Sequence, residues 1–251
     1  MQPEHTLFKP PVKICRRDLL KQLGLGLAAT LLPASLRAHS SKTMKRRTPF
    51  QFTRLQYASG DWFTDQRMPS NLLNSLIEYS TLTVDPHEKI ISLSDPAMMH
   101  APFCYLSGHK LVEFTRREEQ NFIRYVNNGG FVFVDDCNHD IDGLFARSFE
   151  KQMEKSFGEN SLKKIPNNHE IYSCFFTFKD GPPTTSFELN GWGDDLVHDY
   201  LKAIEINGRI GVLYSNKDYG CEWDYDFRNK RWLKIDNTRF GVNIIMYALT
   251  A

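Results

Sequence analysis

Four ionisable side chains follow one another closely in the middle of the sequence, and their types allow three kinds of chemistry. They are Asp135, Asp136, Cys137 and His139, and they come directly after an apolar run at 131–134. A cysteine that gives up its proton beside a histidine is a nucleophile. Paired carboxylates and imidazoles are ligands for a divalent cation. The same acids can also accept hydrogen bonds from loop amides and helix N-termini, which is a structural role.

The nucleophile hypothesis has the least support from the residue spacing. Cys137 and His139 are two residues apart, so on an extended chain their side chains point the same way without necessarily touching. We keep Asp136, Cys137 and His139 as candidate catalytic residues of an alternative function. That alternative is a hydrolase or a metal-dependent enzyme that uses Asp135, Asp136, Cys137 and His139.

A metal site would need the two aspartates together with histidines from other parts of the chain. His109, His139 and His169 are available, but the combined set shows no recurring ligand spacing. We therefore predict no metal site and no cofactor. The leading interpretation is a non-catalytic module that binds a ligand or a protein.

The apolar run before the cluster predicts a strand that is buried on both faces. Four consecutive β-favouring residues at 131–134 cannot alternate between core and solvent, which is typical of a parallel sheet covered by helices. In such sheets the ligand crevice lies at the carboxyl ends of the strands. Asp135 and Asp136 are therefore predicted to lie at the crevice.

Two earlier strands are predicted to end in similar polar turns. The strand at 50–57 leads into Gly60 and Asp61, and the strand at 103–106 leads into Gly108 and His109. Since parallel strands end at the same edge of a sheet, we expect these loops to lie near one another. The predicted ligand-binding residues are Gly60, Asp61, Trp62, Gly108, His109, Asp135, Asp136 and Asp218.

The remaining elements come from hydrophobic periodicity and from helix-end signals. Thr115 and Glu118 form a capping box that begins a helix, and Gly129 follows the end of that helix. A helix is predicted at 141–157 with Asp140 and Asp142 near its first turn, where acids suit the helix dipole. Further helices are predicted at 69–80 and 240–249, and further strands at 90–93, 171–178, 204–206 and 209–214.

The first 38 residues have the pattern of an export signal. Arg16 and Arg17 precede a weakly apolar run, and Arg37-Ala38 offers an imperfect cleavage site. We predict a twin-arginine signal peptide at 1–38, a basic linker at 39–49 and a single α/β domain at 50–251. Whether the signal is removed or kept as an anchor stays open.

The charge balance argues against nucleic acid as a partner. Residues 1–38 hold six of the 31 Lys and Arg residues and two of the 30 acidic residues, so the rest of the chain is slightly acidic. Phosphate binding needs a basic face, which this composition does not provide. The four cysteines beyond the signal, Cys104, Cys137, Cys174 and Cys221, match no zinc or disulfide framework, and we predict that most are buried.

With these motifs in view, the body of the chain resembles the bacterial family called domain of unknown function 4159. The matching segments are Tyr-Ala-Ser-Gly-Asp-Trp at 57–62, Pro-Phe-Cys-Tyr-Leu-Ser-Gly-His at 102–109, Asn-Gly-Gly-Phe at 128–131, Asp-Asp at 135–136, Asn-His-Glu-Ile-Tyr at 168–172, Asn-Gly-Arg at 207–209, Asp218, Gly-Val-Asn at 241–243 and Tyr-Ala-Leu at 247–249. That family resembles the class I glutamine-amidotransferase-like superfamily, which also contains ThuA-like proteins. The resemblance implies a flavodoxin-like three-layer α/β sandwich with a mostly parallel sheet, and it implies no established activity.

This sequence departs from the amidotransferases at the residue that matters most for their chemistry. Those enzymes carry the nucleophilic cysteine in a Gly-x-Cys-x-Gly elbow, whereas Cys137 has no flanking glycines. We therefore expect an exported, periplasmic binding module. Its expected partners are an unknown periplasmic protein or small-molecule ligand, and the twin-arginine translocase during export. Peripheral contact with the membrane would come through the signal or the basic linker.

Overall fold

A mostly parallel sheet of seven strands forms the centre of the part that the structure describes. The structure is a computed structural model that describes residues 48–138, 140–189, 197–224 and 235–251. The strands are β1 (Thr53–Gln56), β2 (Lys89–Ser92), β3 (Cys104–Gly108), β4 (Val132–Asp136), β5 (Lys163–Lys164), β6 (Lys202–Ile206) and β7 (Arg209–Ser215). Their order is β2-β1-β3-β4-β7-β6-β5; the pairs β7–β6 and β6–β5 are antiparallel, and the other pairs are parallel. The predicted mixed α/β architecture is confirmed.

Helices cover both faces of this sheet. They are α1 (Met68–Tyr79), α2 (Arg116–Asn127), α3 (Leu144–Phe157), α4 (Ser186–Leu189), α5 (Tyr219–Asp224) and α6 (Ile235–Thr250), with 3₁₀ turns at Pro96–His100 and Glu170–Tyr172. One apolar core includes residues of α1, α5 and α6, and a second includes residues of α2 and α3. Phe133 belongs to the first core, while Val132 and Val134 belong to the second. The run at 131–134 is continuously apolar because β4 is buried from both sides.

The predicted capping box is present, and its glutamate also binds the loop that follows β1. The amide of Glu118 donates to Thr115 Oγ1, and Glu118 Oε2 accepts from the amide of Thr115 at 2.8 Å. The other oxygen, Glu118 Oε1, accepts from the amide of Ala58 at 2.8 Å. Helix α2 therefore fixes the loop that follows β1.

The connections of β1 and β3 leave in opposite directions across the sheet. β1 is followed by β2 on one side, whereas β3 is followed by β4 on the other. Where neighbouring connections diverge in this way, the carboxyl ends of the two strands leave a crevice between them. The loops that begin at Tyr57 and at His109 line this point of the edge.

The prediction of a strand at 171–178 is wrong. Glu170–Tyr172 forms a 3₁₀ turn, and no strand follows it in that segment. The side chain of Asn243 in α6 donates to the carbonyls of Ile171 and Phe176 at 2.9 Å and accepts from the amide of Phe176 at 2.7 Å. This side chain supplies the backbone partners that a neighbouring strand would otherwise provide.

The start of the helix after β4 also differs from the prediction. Helix α3 begins at Leu144 behind Gly143, so Asp140 and Asp142 precede the helix and do not belong to its first turn. Asp140 Oδ1 accepts from the amide of Asp142 at 2.9 Å, which makes a tight turn. The strand itself is longer than predicted, since Asp135 and Asp136 are part of β4.

The predicted signal at 1–38 and most of the linker at 39–49 lie outside the described residues. Among the residues that are described, no helix combines the length and the apolar character needed to cross a membrane. The short strand β5 and helix α5 had no signal of their own in the sequence, because each is only a few residues long.

Candidate functional site

An aspartate and a histidine form a hydrogen-bonded pair where β1 and β3 end. Asp61 Oδ2 lies 2.8 Å from His109 Nδ1, and Asp61 Oδ1 accepts from the amides of His109 at 2.8 Å and Lys110 at 3.2 Å. The side chain of His109 is 45% exposed and that of Asp61 is 28% exposed. We call Asp61 and His109 the open pair.

The hydrogen bonds of the open pair set the charge of its carboxyl group. Partial burial acts to raise the pKa of Asp61, but the backbone and side-chain hydrogen bonds from His109 outweigh it and lower the pKa. Asp61 is therefore ionised throughout the neutral range. An anchored carboxylate of this kind fixes the orientation of the imidazole.

The loop after β4 holds the histidine loop in place. Asn138 Nδ2 donates to the carbonyl of His109 at 2.7 Å, and the amide of Cys137 donates to the carbonyl of Gly108 at 3.2 Å. The loops after β1, β3 and β4 are thus joined to one another by direct hydrogen bonds. The prediction that these strand ends meet is confirmed by these contacts.

The two glycines that were predicted to bind ligand have a packing reason to be glycine. A Cβ added to Gly60 would lie 2.1 Å from the ring of Tyr57, and one added to Gly108 would lie 2.4 Å from the hydroxyl oxygen of Tyr57. Tyr57 is buried and donates to the carbonyl of Ser107 at 3.1 Å. The space beside both glycines is therefore filled by Tyr57, which the sequence did not single out.

Asp136 lies behind the open pair and is fully buried. Its Oδ1 accepts from the amide of Asn138 at 2.9 Å, and its Oδ2 has no hydrogen-bond partner in the described part of the chain. Burial is the main cause that raises the pKa of Asp136 to about 7, with a further contribution from Asp218 and Asp140. The bond from Asn138 and the nearby His109 oppose this rise. Asp136 therefore exchanges its proton near neutral pH.

A second group of acids and thiols lies deeper at the same edge of the sheet. We call Asp65, Asp135, Cys137, Asp218 and Cys221 the buried cluster. Cys137 Sγ donates to one oxygen of Asp65 at 3.2 Å, and Cys221 Sγ donates to the other at 3.3 Å. The amide of Cys221 lies 3.4 Å from Asp218 Oδ1. The cluster draws on the loops after β1, β4 and β7.

Asp135 is the most enclosed acid of the buried cluster. It has no exposed surface, its Oδ2 accepts from the amide of Gly220 at 2.6 Å, and its Oδ1 has no partner among the described residues. Burial raises the pKa of Asp135 well above its usual value, and Asp218 and Asp65 raise it further. Burial and the neighbouring acids therefore act against the ionised form of Asp135.

The buried cluster is closely packed around Gly220, although Asp65 and Cys221 are only partly buried. A Cβ added to Gly220 would lie 2.5 Å from both Asp65 Oδ2 and the hydroxyl oxygen of Tyr105. Arg54 is fully buried nearby, but its guanidinium donates to the backbone carbonyls of Thr64 at 2.8 Å and Asp65 at 3.2 Å and pairs with Glu88 at 2.9 Å. Arg54 thus fixes the loop through its backbone, and its carboxylate partner is Glu88.

The surroundings of Cys137 argue against a nucleophilic role. The residue is 5% exposed, and burial raises the pKa of its thiol well above the usual value, followed by the effects of Asp65, Asp218 and Asp135. A reactive cysteine needs the opposite environment, with positive charge and solvent access. His139, the other residue of that hypothesis, lies outside the described residues.

The structure does not bring the remaining histidine of the metal hypothesis to this edge. His169 accepts from the amide of Ile171 at 3.1 Å and lies 3.6 Å from Glu205, which pairs with Ile210 near the start of β7. The start of β7 is the edge of the sheet opposite to the open pair. Within the described residues, no three His, Cys, Asp or Glu side chains are arranged to hold one metal ion.

Cys104 and Cys137 lie far apart. Cys104 pairs with Val132 at the start of β3 and β4, whereas Cys137 follows the end of β4, which puts them roughly 16 Å apart along the strands. The four described cysteines are all free. Cys221 was not predicted from the sequence as part of the site, although it follows Asp218 by three residues in the segment after β7.

The aromatic residues divide between the surface and the core. Trp62 packs against Phe63 with ring centroids 5.3 Å apart, and Phe63 is 46% exposed. Trp223 is buried and donates to the carbonyl of Asn237 at 2.9 Å, so it belongs to the core. Trp192 lies outside the described residues.

A family model described as "Domain of unknown function (DUF4159)" matches residues 51–249, which includes every described residue of the open pair and of the buried cluster. No curated protein matches the chain.

Proposed function

We propose, starting from the fact that this chain belongs to the family described as domain of unknown function (DUF4159), that it is a ligand-binding module. The ligand site is the crevice between the carboxyl ends of β1 and β3. Asp61 and His109 supply its polar groups, and Trp62 with Phe63 supplies an apolar wall. The ligand is a small polar molecule that carries hydroxyl or amine donors.

The open pair is the observation that carries this proposal. Its imidazole reaches solvent, yet it is held by an ionised carboxylate that is itself anchored by two backbone amides. Binding sites are typically built from a few polar groups that are positioned in advance at a crevice in the fold. The divergence of the connections after β1 and β3 is where such crevices occur in open α/β sheets.

The strand order supports a finer assignment of the fold. The parallel strands follow the order β2-β1-β3-β4-β7, which is the order of flavodoxin-like sheets. On this ground we assign the domain to a flavodoxin-like sandwich related to the class I amidotransferase-like proteins. The buried, uncharged Cys137 favours binding over the thiol chemistry of amidotransferases.

The proposal includes export through the twin-arginine pathway to the periplasm. Arg16 and Arg17 with the following apolar run support it. Residues 1–60 fused to a reporter should be exported, and the change of both arginines to lysine should stop the export. Unchanged export of the double variant would remove the support for this pathway.

The binding site can be tested by NMR with a library of small polar fragments. Fragments that bind should shift the amide signals of His109, Lys110 and Asn138, and Asp61→Asn should weaken the binding by about tenfold because a charge-assisted hydrogen bond is lost. Asp85→Asn is a matched control, because Asp85 lies beside the exposed His87 at 3.4 Å on another part of the surface.

A different pattern of shifts would contradict the proposal. A cavity of about 620 Å³ lies beside Pro182, Pro183 and Lys217. If fragments shift signals there and leave His109, Lys110 and Asn138 unchanged, the crevice between β1 and β3 is not the binding site.

A further inference from the structure

We propose that His109 is a general base that takes a proton from a water molecule as the water attacks an ester of the bound ligand, and that Asp61 is its positioning residue. This activity rests on the proposed ligand site, since the ester must be held in the crevice between β1 and β3. It uses neither Cys137 nor a metal ion.

The geometry of the open pair selects one tautomer of the imidazole. Asp61 Oδ2 is an acceptor 2.8 Å from Nδ1, so Nδ1 carries the proton and Nε2 carries the lone pair. No described residue forms a hydrogen bond with Nε2, and the side chain is 45% exposed. The basic nitrogen is therefore available to a water molecule in the crevice.

An ionised carboxylate is in direct contact with the imidazole of His109. Among the described residues, Asp61 also accepts from the amides of His109 and Lys110, and Asp136 is close enough for His109 to affect its pKa. Asp61 stays ionised and stabilises the imidazolium that forms during the reaction. Asp136 has its pKa raised to about 7, and neighbouring groups whose pKa values are driven apart are typical of sites that move protons.

The attacking group has to be water. No described serine, threonine or cysteine is hydrogen-bonded to the imidazole of His109, and the Cys137 thiol donates to Asp65. In the reaction, a water proton moves to Nε2 while the water oxygen bonds to the carbonyl carbon. The ester C–O bond then breaks, and the departing oxygen takes the proton from Nε2. Atoms and charges balance without a further reactant.

The hydrolysis of p-nitrophenyl acetate by the full chain tests this role. His109→Gln should lower the rate at least about tenfold, since general base catalysis contributes roughly 10²- to 10⁴-fold. His87→Gln should leave the rate unchanged, because His87 is 87% exposed and its Nδ1 lies 3.4 Å from Asp85, compared with 2.8 Å in the open pair.

Asp61→Asn changes the tautomer of His109 while it keeps the hydrogen bonds that hold the loop. Its Oδ1 still accepts from the amides of His109 and Lys110, while its Nδ2 donates to Nδ1 and moves the ring proton to Nε2. The rate should fall at least about tenfold, close to that of His109→Gln. ¹⁵N NMR of the ring should show the proton on Nδ1 in the wild type and on Nε2 in Asp61→Asn.

The outcomes distinguish this inference from the proposed function. Equal rates for the wild type and His109→Gln, or equal losses for His109→Gln and His87→Gln, would overturn the general-base role. If fragments still bind in the crevice in that case, only the catalytic inference fails. If no fragment shifts the amides of the crevice and the hydrolysis does not depend on His109, both fail.

Discussion

Two groups of acids occupy the same edge of the sheet, and their surroundings give them opposite properties. Asp61 in the open pair accepts three hydrogen bonds near solvent, and its pKa is lowered. Asp135 in the buried cluster accepts one amide bond without solvent contact, and its pKa is raised well above the usual value. The comparison shows that donors and solvent access decide the chemistry of a carboxyl group, even when strand-end position and residue type are the same.

Tyr57 lies between the two groups. Its ring fills the space beside Gly60 and Gly108, and burial, followed by the nearby Asp61, Cys137 and Asp136, raises the pKa of its hydroxyl far above the usual range. The buried phenol of Tyr57 is therefore near Asp61 of the open pair and near Cys137 of the buried cluster. We infer that the buried cluster positions the edge of the sheet, while the open pair contacts ligand.

The largest expected effect is on the stability of the buried cluster. Asp135→Ala should lower the free energy of unfolding by about 3 kcal/mol, because it leaves a cavity and the amide of Gly220 without its acceptor. Asp135→Asn should cost less than about 1 kcal/mol, since the amide has the same shape as the acid and its carbonyl oxygen still accepts from Gly220. Urea unfolding of both variants checks this. Equal losses would mean that Asp135 is needed as an anion.

A smaller effect is expected from the titration of Asp136. A folded-state pKa of about 7 lies above the value of about 4 for an unfolded aspartate, so the stability from this group is complete below about pH 4 and is lost as the pH rises through 7. Between pH 5 and pH 7 the wild type should lose about 2 kcal/mol more than Asp136→Asn. Asp61, with its lowered pKa, acts in the opposite direction and loses its contribution as the pH falls.

Urea titrations at several pH values measure this difference. The same pH dependence in the wild type and in Asp136→Asn would show that Asp136 does not hold its proton in the folded protein.

The smallest of the three effects concerns the thiols of the buried cluster. Cys137 and Cys221 both have raised pKa values because of burial and nearby carboxylates, so their thiolate fraction is low. Iodoacetamide should label them about tenfold or more slowly in the native protein than in urea, as followed by mass spectrometry. Rapid native labelling of Cys137 would restore it as a candidate nucleophile.

The features that the sequence predicted correctly depend on local signals. The capping box at Thr115 and the apolar run of β4 are each contained in a few neighbouring residues, and both are present. The expectation that the loops carrying Asp61 and His109 meet came from the rule that parallel strands end at one edge. That rule does not predict the direct hydrogen bond between the side chains of Asp61 and His109.

The features that were missed depend on contacts between distant residues. Asp65 meets Cys137 and Cys221 across 72 and 156 positions of sequence, so no local spacing predicts their contact. The prediction of a strand at 171–178 was wrong for the same reason. The backbone of this segment is hydrogen-bonded to the side chain of Asn243, which lies about 70 residues later in the sequence. The pKa values of these acids follow from such contacts and could not be predicted from residue types.

The central claim is that ligand binds at the open pair and that the buried cluster has a structural role. The most direct test is the dissociation constant of one bound fragment for the wild type, Asp61→Asn and Asp135→Asn, measured by NMR titration. We predict that Asp61→Asn weakens the binding about tenfold and that Asp135→Asn changes it less than about twofold. A large loss in Asp135→Asn with none in Asp61→Asn would contradict the claim.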